Sequence, residues 1–480
     1  MIYWGMKNEE TMTSHASRNN GYFDLIIVGG GIYGVMLALE AARRRQKALL
    51  LEKGDFGSAT SLQHLRTLHG GLRYLQTLDL PRFFESVGER KWFLRHFAPY
   101  TQALPCMMPL YGRGIYRKAV FRPALWLNDL LSFQRNRRQP VSRHLPNGYI
   151  LGREQTIEYF PGVKKEGLKG AAVWFDGAMP DHHRIFFDLL LNACRKGATA
   201  LNYTEVTRLL ADGSKVKGVR ALDHRSRTPL RFHSPVVINA AGPDCRDLAR
   251  KFDRDYPELF RQKLRLWNIL FRRKALSDYA LALMPRGNSG HTYFIHNWKG
   301  RLLAGTGETP MTPEEDRVTP SEEEIRGFID DLNRAIPDLG IREGQVEHVY
   351  SGIIPGDGRD RLAKREVILD HGRSGGPVGL YSVSGVKFTT ARRVAEKTLR
   401  RVSSSRPDPY RFELFHRGTY DYHWVPGPRQ TRWLPPLRQI MEQEAVLRPE
   451  DLVYRRTDLA ENTRRLEKLL PAIRSLFPTD

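Results

Sequence analysis

Gly29, Gly31 and Gly34 stand in the spacing G-x-G-x-x-G, and a carboxylate, Glu52, follows about 20 residues later. In such a spacing one glycine makes a tight turn, one lets backbone approach a pyrophosphate, and one lets a helix pack closely on a strand. The helix N-terminus then faces the phosphates, and the carboxylate accepts from a ribose hydroxyl. The chemistry supported is dinucleotide binding, and the spacing alone does not separate NAD from FAD. Cys106, Cys194 and Cys245 form neither a CxxC pair nor an even disulfide framework. They read as buried thiols in a reducing compartment, with no cysteine-based metal site.

The elements that must position these residues follow from periodicity. An apolar run from Leu25 to Val28 stops at the glycines, and Val35, Leu37, Leu39 and Ala42 then recur at helical spacing. A second run, Ala48 to Leu51, ends at Glu52. A helix is expected from Pro81 to His96, a helix and hairpin within 166–223, and mixed strands and helices in 263–345. The strand in "PVVINAAGP" (235–243) and the strand, turn and helix in 379–402 repeat the apolar-run-then-glycine pattern of a parallel sheet buried on both faces. Both ends of the chain are therefore expected to build one site. The expected fold is α/β: a Rossmann-like dinucleotide-binding domain from the discontinuous segments 21–100, 166–262 and 346–402, with a mixed α+β substrate domain from 101–165 and 263–345. Residues 403–480 are expected to form a short helical C-terminal region, and 1–20 a disordered polar tail.

The 480 residues carry 76 basic and 53 acidic side chains, a net charge of +23. Such a surface field attracts anions, anionic lipid or nucleic acid. Between 112 and 143, Val120, Phe121, Leu125, Trp126, Leu130, Leu131 and Phe133 are interleaved with flanking arginines, as suits docking on an anionic membrane surface. No nucleic-acid-binding fold or base-stacking array accompanies the charge, so nucleic acid is not an expected partner. No apolar run approaches the length of a transmembrane helix and the first 20 residues lack a signal-peptide core. The expected location is cytoplasmic, with peripheral attachment to the inner face of the membrane.

Longer motifs resemble one family: "ATSLQHLRTLHGGLRYLQ" (59–76), "FDGAMPDHHRIF" (175–186), "VINAAGP" (237–243), "LLAGTGE" (302–308), "SGIIPG" (351–356), "SGVKFTTARRVAEK" (384–397) and "RPEDLVYRRT" (448–457). Their types and order are similar to those of the FAD-dependent glycerol-3-phosphate dehydrogenases, within the D-amino-acid-oxidase superfamily. The resemblance implies FAD rather than NAD, held by Gly29, Gly31, Gly34 and Glu52, with Ser58, Thr60, Ser61, His69, Gly70, Val206, Gly242, Gly385, Lys387 and Thr389 as further contacts. It also implies a pocket in which Arg73 and Arg365 hold a small anionic substrate, Tyr74 orients its alcohol, and Lys387 stabilises negative charge on reduced flavin. Hydride would pass from carbon to flavin N5, and a membrane quinone would be the electron acceptor.

The sequence departs from that family on the pocket side. The S-G-x-R-P arginine is Ile354, and "RLWNILFRRK" (265–274) lacks the family's pocket histidine. Candidate replacement cations are Arg272 and Arg273, and candidate bases are His64, His182, His183 and His296. These departures leave open a 2-hydroxy acid or amine oxidase of the same superfamily, a flavin-bearing protein without catalysis, and a homodimeric assembly.

Overall fold

The computed structural model describes residues 20–112, 117–253, 262–284, 292–312, 315–403, 405–407, 414–416 and 434–477. A six-stranded sheet runs in the order Val367–Asp370, Leu380–Ser384, Val237–Asn239, Leu25–Val28, Ala48–Leu51, Thr199–Leu201. All neighbours are parallel except the antiparallel edge strand Val367–Asp370. Leu25–Val28 and Ala48–Leu51 are buried at every position, because helices cover one face and a second, four-stranded sheet lies against the other. The covering helices are Ile32–Arg43, His182–Arg195 and Ala391–Val402. The expected parallel sheet from scattered segments is thus present, its six strands drawn from stretches between Leu25 and Ser384.

The second large layer is a nine-stranded sheet. Its centre is antiparallel: Val346–Pro355, Lys263–Lys274, Arg301–Met311, Tyr293–Trp298 and Ala280–Leu283 follow one another, and Gln102–Leu110 and Gly170–Ala178 continue it. Here hydrogen bonding divides the chain differently from the expected boundaries. Gly170–Ala178 and Val346–Pro355, expected in the FAD-binding domain, belong to this sheet. Sequence order reveals where a strand lies along the chain, whereas pairing is set by long-range register. The expected tail 1–19 lies outside the described residues.

Helices Leu434–Gln443 and Thr463–Arg474, with the short turns between them, form the expected C-terminal helical region around Ile440, Leu452, Leu469 and Ile473. It is docked by charge on both sheets' domains. Arg184 of helix His182–Arg195 donates to Glu444 at 2.5 and 2.8 Å, Tyr203 donates to Asp451 at 2.6 Å, and Trp298 donates to Glu461 at 2.9 Å.

Candidate active site

The nucleotide end is built as the glycine spacing requires. Gly29 has φ of 109°, and a Cβ there would lie 2.5 Å from the carbonyl of Ala240. A Cβ on Gly34 would overlap the Gly29 carbonyl, so helix Ile32–Arg43 can press on its strand only because both positions are glycine. Gly31 caps that helix without a side-chain cap, and no acidic residue stands in its first turn. Glu52 closes the edge: its oxygens accept from the backbone of Gly30 at 2.6 Å and Gly54 at 2.8 Å. Burial pushes its carboxyl up from the ordinary range, opposed by those two backbone donors.

The serine-rich loop is tied down more than its sequence suggests. Ser61 Oγ accepts from the backbone of Ile32 at 2.8 Å, at the mouth of the helix. Thr60 donates to the carbonyl of Ile353 at 2.9 Å and accepts from its N–H at 3.1 Å, binding the loop to strand Val346–Pro355. Ser58 is exposed beside them. Val206 is a core side chain packed with Val28 and Leu51 under the sheet edge. Gly242, at φ of 57°, opens the turn after strand Val237–Asn239. A Cβ on Gly385 would overlap the Tyr33 ring, whose hydroxyl donates to the Lys387 carbonyl at 2.7 Å, and Thr389 follows in the next short turn.

Of the four residues expected to act on substrate, two touch. Lys387 Nζ donates to the Tyr74 hydroxyl and lies 4.6 Å from the centroid of its ring. Arg82 stacks on the same ring at 4.7 Å and pairs with Asp79 at 2.5 Å. Arg82 first, and Arg365 more weakly, lower the Asp79 carboxyl. Arg73 is exposed on the one-turn helix Leu72–Leu75 beside Tyr74.

The histidines fall out differently from expectation. His64, His182 and His183 form a buried cluster, with ring centroids 5.3 Å and 3.9 Å apart, and His64 leans on Phe388 at 4.6 Å. Burial, and then neighbouring charge, holds all three neutral, His183 down to about 3. His296 is pushed down to about 4 by burial and lies 3.0 Å from the Leu65 carbonyl. None of the four is placed as a base is placed. His69, expected as a cofactor contact, has Nδ1 3.1 Å from Asp176, while its side chain stays 53% exposed. Asp176 also accepts from Gly70 N at 2.7 Å and from buried Arg90 at 2.8 Å. Sequence reasoning missed this dyad, although both residues sat in the quoted motifs.

The expected replacement cations do not reach Ile354. Strand pairing sets Ile354 against Leu264, and Arg272 lies at the far end of the same strand, roughly 25 Å away at about 3.3 Å per residue. Arg272 instead pairs with Glu347 and donates to the Gly344 carbonyl at 2.6 Å; Arg273 is its neighbour.

A family model described as DAO, FAD dependent oxidoreductase, matches residues 24–401. The chain belongs to the DAO family of FAD-dependent oxidoreductases. It is 31% identical over 398 residues to a glycerol-3-phosphate dehydrogenase of Synechocystis, covering 80% of this chain and 70% of that one. It is 30% identical over 402 residues to the mitochondrial glycerol-3-phosphate dehydrogenase of Bos taurus, covering 80% of this chain and 53% of that one. The chain therefore spans about half the length of the bovine relative. The crystal structure of the glycerol-3-phosphate dehydrogenase from Bacillus halodurans complexed with FAD has the same fold, with a TM-score of 0.70 at 21% identity, covering 94% of this chain and 89% of that one.

The residues present fit the DAO family's cofactor. The glycine cradle leaves no Cβ between the sheet edge and a pyrophosphate, and the helix N-terminus carries no acid to repel one. Glu52 keeps acceptor lone pairs for a ribose, since each of its oxygens receives one backbone donor. The chain is thus an FAD-dependent rather than an NAD-dependent oxidoreductase.

Outside this site, helix Lys118–Leu131 buries Phe121, Leu125 and Asn128 and exposes Val120, Trp126 and Leu130. Trp126 is 65% and the following Phe133 71% exposed. Arg135, expected among the flanking free cations, is instead buried and donates to Leu145 and Pro146 carbonyls and to Asn147. Residues 113–116 of this segment lie outside the described residues. Among the described residues no helix is long and apolar enough to cross a membrane.

Proposed function

We propose that this chain is an FAD-dependent dehydrogenase that oxidises a secondary alcohol on a small anionic substrate, glycerol 3-phosphate or a related phosphorylated polyol. The observation that carries the reading is the dyad of His69 with Asp176, His69 lying in the segment that continues to Tyr74, whose hydroxyl Lys387 contacts. Burial alone would raise the Asp176 carboxyl, but the hydrogen bond from His69, the charge of Arg90 and the hydrogen bond from Gly70 N hold it below the usual range. An ionised Asp176 fixes the His69 proton on Nδ1 and leaves Nε2 as a lone pair for the substrate hydroxyl proton. Lys387 donates to the Tyr74 oxygen, so the Tyr74 proton is turned outward to orient the alcohol oxygen. Lys387 stands two residues after Gly385 and would stabilise negative charge building on reduced flavin. Bound FAD supplies the hydride acceptor, N5 of its flavin. Arg73 and Arg365, both exposed, draw the anion to the mouth.

The apolar face of helix Lys118–Leu131, with exposed Arg117 just before it and exposed Arg137 and Arg138 beyond its end, supports peripheral docking on an anionic membrane, which brings a membrane quinone within reach as the acceptor. The test of the activity is an anaerobic titration of the yellow protein with glycerol 3-phosphate, followed by absorbance. Bleaching of the flavin band supports the reading. A band that persists with glycerol 3-phosphate but bleaches with 2-hydroxy acids or amines refutes this substrate class.

A further inference from the structure

Arg66 stands three residues before His69 and is fully buried. Its backbone has φ of 60°, in the left-handed region that residues with a Cβ seldom occupy. Such a conformation persists only where the surroundings hold it, and here the arginine's own side chain does the holding. The guanidinium lies over the Tyr350 ring at 3.8 Å and the Trp298 ring at 4.9 Å. Nη1 donates to the His64 carbonyl at 2.8 Å, and Nη2 pairs with Glu461 at 3.5 Å. The backbone N–H donates to His64 Nδ1 at 2.9 Å, which closes the turn. Glu461 is itself buried and fixed: it accepts from Trp298 at 2.9 Å and from Lys299 and Tyr350 at 3.3 Å, and its carbonyl accepts from Arg301 at 2.5 Å. Through one carboxylate the C-terminal helical region thus reaches the segment that carries His69.

What this clamp decides is register. The Arg66 carbonyl accepts from Met179 N at 2.9 Å, and the chain then pairs Thr67 with Ala178 and Leu68 with Gly177 before His69 meets Asp176. A slip of one residue turns every side chain of a strand to the opposite face, so a slipped His69 would point its ring away from Asp176. Two residue pairs make a short ladder with few bonds to resist that slip. The turn at Arg66, anchored on Tyr350, Trp298 and Glu461, fixes where the ladder begins. Arginine suits the place because its planar fork stacks on rings and donates at the same time, which an ammonium does not. We infer that Arg66, held by Glu461, is a positioning residue for His69: it sets the register that brings the ring to Asp176. This rests on the dehydrogenase reading for what His69 does, and on the contacts alone for where His69 is held.

The experiment uses the full-length FAD-loaded protein, its Arg66→Lys, Glu461→Gln and His69→Asn variants, and Arg66→Lys combined with His69→Asn. Arg66→Lys keeps the charge and loses the stacked fork, so the limiting rate of anaerobic flavin reduction by glycerol 3-phosphate should fall about tenfold or more, as misplacement of a reacting group predicts, with FAD content and apparent Kd within about twofold of the parent. Glu461→Gln keeps an acceptor for Trp298 and Tyr350, so it folds where Arg66→Lys fails to, and it should slow reduction about threefold or more by the same route. Added to His69→Asn, Arg66→Lys should slow reduction no further, because the group it positions is already gone. Slowing by the same factor in both backgrounds overturns the assignment, as does a parental rate in both Arg66→Lys and Glu461→Gln. If no alcohol bleaches the parent, or His69→Asn reduces as fast as the parent, the reading of His69 as base fails on its own. The position is then read from the ring Cε1–H resonance of His69, assigned by its loss in His69→Asn: Arg66→Lys, or Glu461→Gln in its place, should move that resonance toward its position in Asp176→Asn, and an unmoved resonance overturns the assignment.

Discussion

Arg456 and Asp55, 401 residues apart, are joined face to face: Nη2 donates to Oδ1 at 2.8 Å and Nη1 to Oδ2, with Arg456 fully buried. Arg455 pairs with the same carboxylate, and Asn202 donates to it at 3.0 Å. Asp55 lies in the loop that carries Ser58, Thr60 and Ser61, so the C-terminal helices and the cofactor loop share one electrostatic joint.

The joint predicts a joint failure. Removing Arg456 strips the buried Asp55 carboxylate of its two-pronged partner and leaves it only Arg455 and Asn202, so Arg456→Ala should cost up to about 3–5 kcal/mol. Because the loop loses its anchor, the variant should also release FAD. Urea unfolding followed by tryptophan fluorescence, with flavin fluorescence read on the same samples, checks both. A variant as stable as the parent and still yellow would show that the C-terminal region is an independent appendage.

Acid should weaken the fold earlier than carboxylates alone would allow. His64, His182, His183 and His296 are held neutral by burial, His183 down to about 3 and His296 to about 4. An unfolded histidine takes its proton near pH 6.5, so below that the unfolded chain binds more protons and stability falls. Each such histidine contributes up to about 1.4 kcal/mol per pH unit between its two pKa values. The paired carboxylates of Asp55 and Glu461, held low by facing cations, add their loss only below about pH 4. Urea midpoints at pH 7.5 and 5.5 should differ clearly, and His183→Gln should reduce that difference. Equal midpoints would mean that the histidines are charged in the folded protein.

Substituting His69 separates base from bystander. His69→Asn should slow anaerobic flavin reduction by about 10²–10⁴-fold, the usual worth of a positioned base, while the flavin spectrum stays that of the parent. The slow rate should climb with pH as solvent base takes over. Stopped-flow absorbance measures it, and a rate within threefold of the parent would move the base elsewhere.

The extent to which this site was legible in sequence follows from how local each cause is. Gly29, Gly31 and Gly34 were readable because each answers a constraint within its own strand, turn and helix. Tyr74 and Lys387 were placed by motif, and they do touch although 313 residues separate them. Thr60 and Ser61 were read as cofactor contacts, and the fold adds what sequence did not show: Thr60 donates to Ile353, while Ser61 accepts from Ile32 N and keeps its own proton to donate. The His69–Asp176 contact spans 107 residues, and no spacing rule encodes it. The buried histidines misled for a related reason: residue type announces a titratable ring, whereas its burial is decided by distant packing. Arg272 failed as a replacement because strand register, invisible in composition, put it at the wrong end.

The exposed face of helix Lys118–Leu131 predicts membrane behaviour that stability does not share. Trp126 and Leu130 are one helical turn apart on the solvent side, and Phe133 continues the stripe. Phe121 and Leu125 hold the opposite side in the core, so changes at Trp126 leave the packing intact. Trp126→Glu and Phe133→Glu should therefore shift unfolding by no more than about 0.5 kcal/mol, as is usual for surface sites. Both should still lower partitioning onto vesicles containing phosphatidylglycerol severalfold, because each removes buried apolar area and adds a charge repelled by the anionic lipid. Sedimentation with such vesicles at low and high salt measures this. Retained binding by both variants would assign the docking surface to another face, and binding insensitive to lipid charge would deny the basic residues their part.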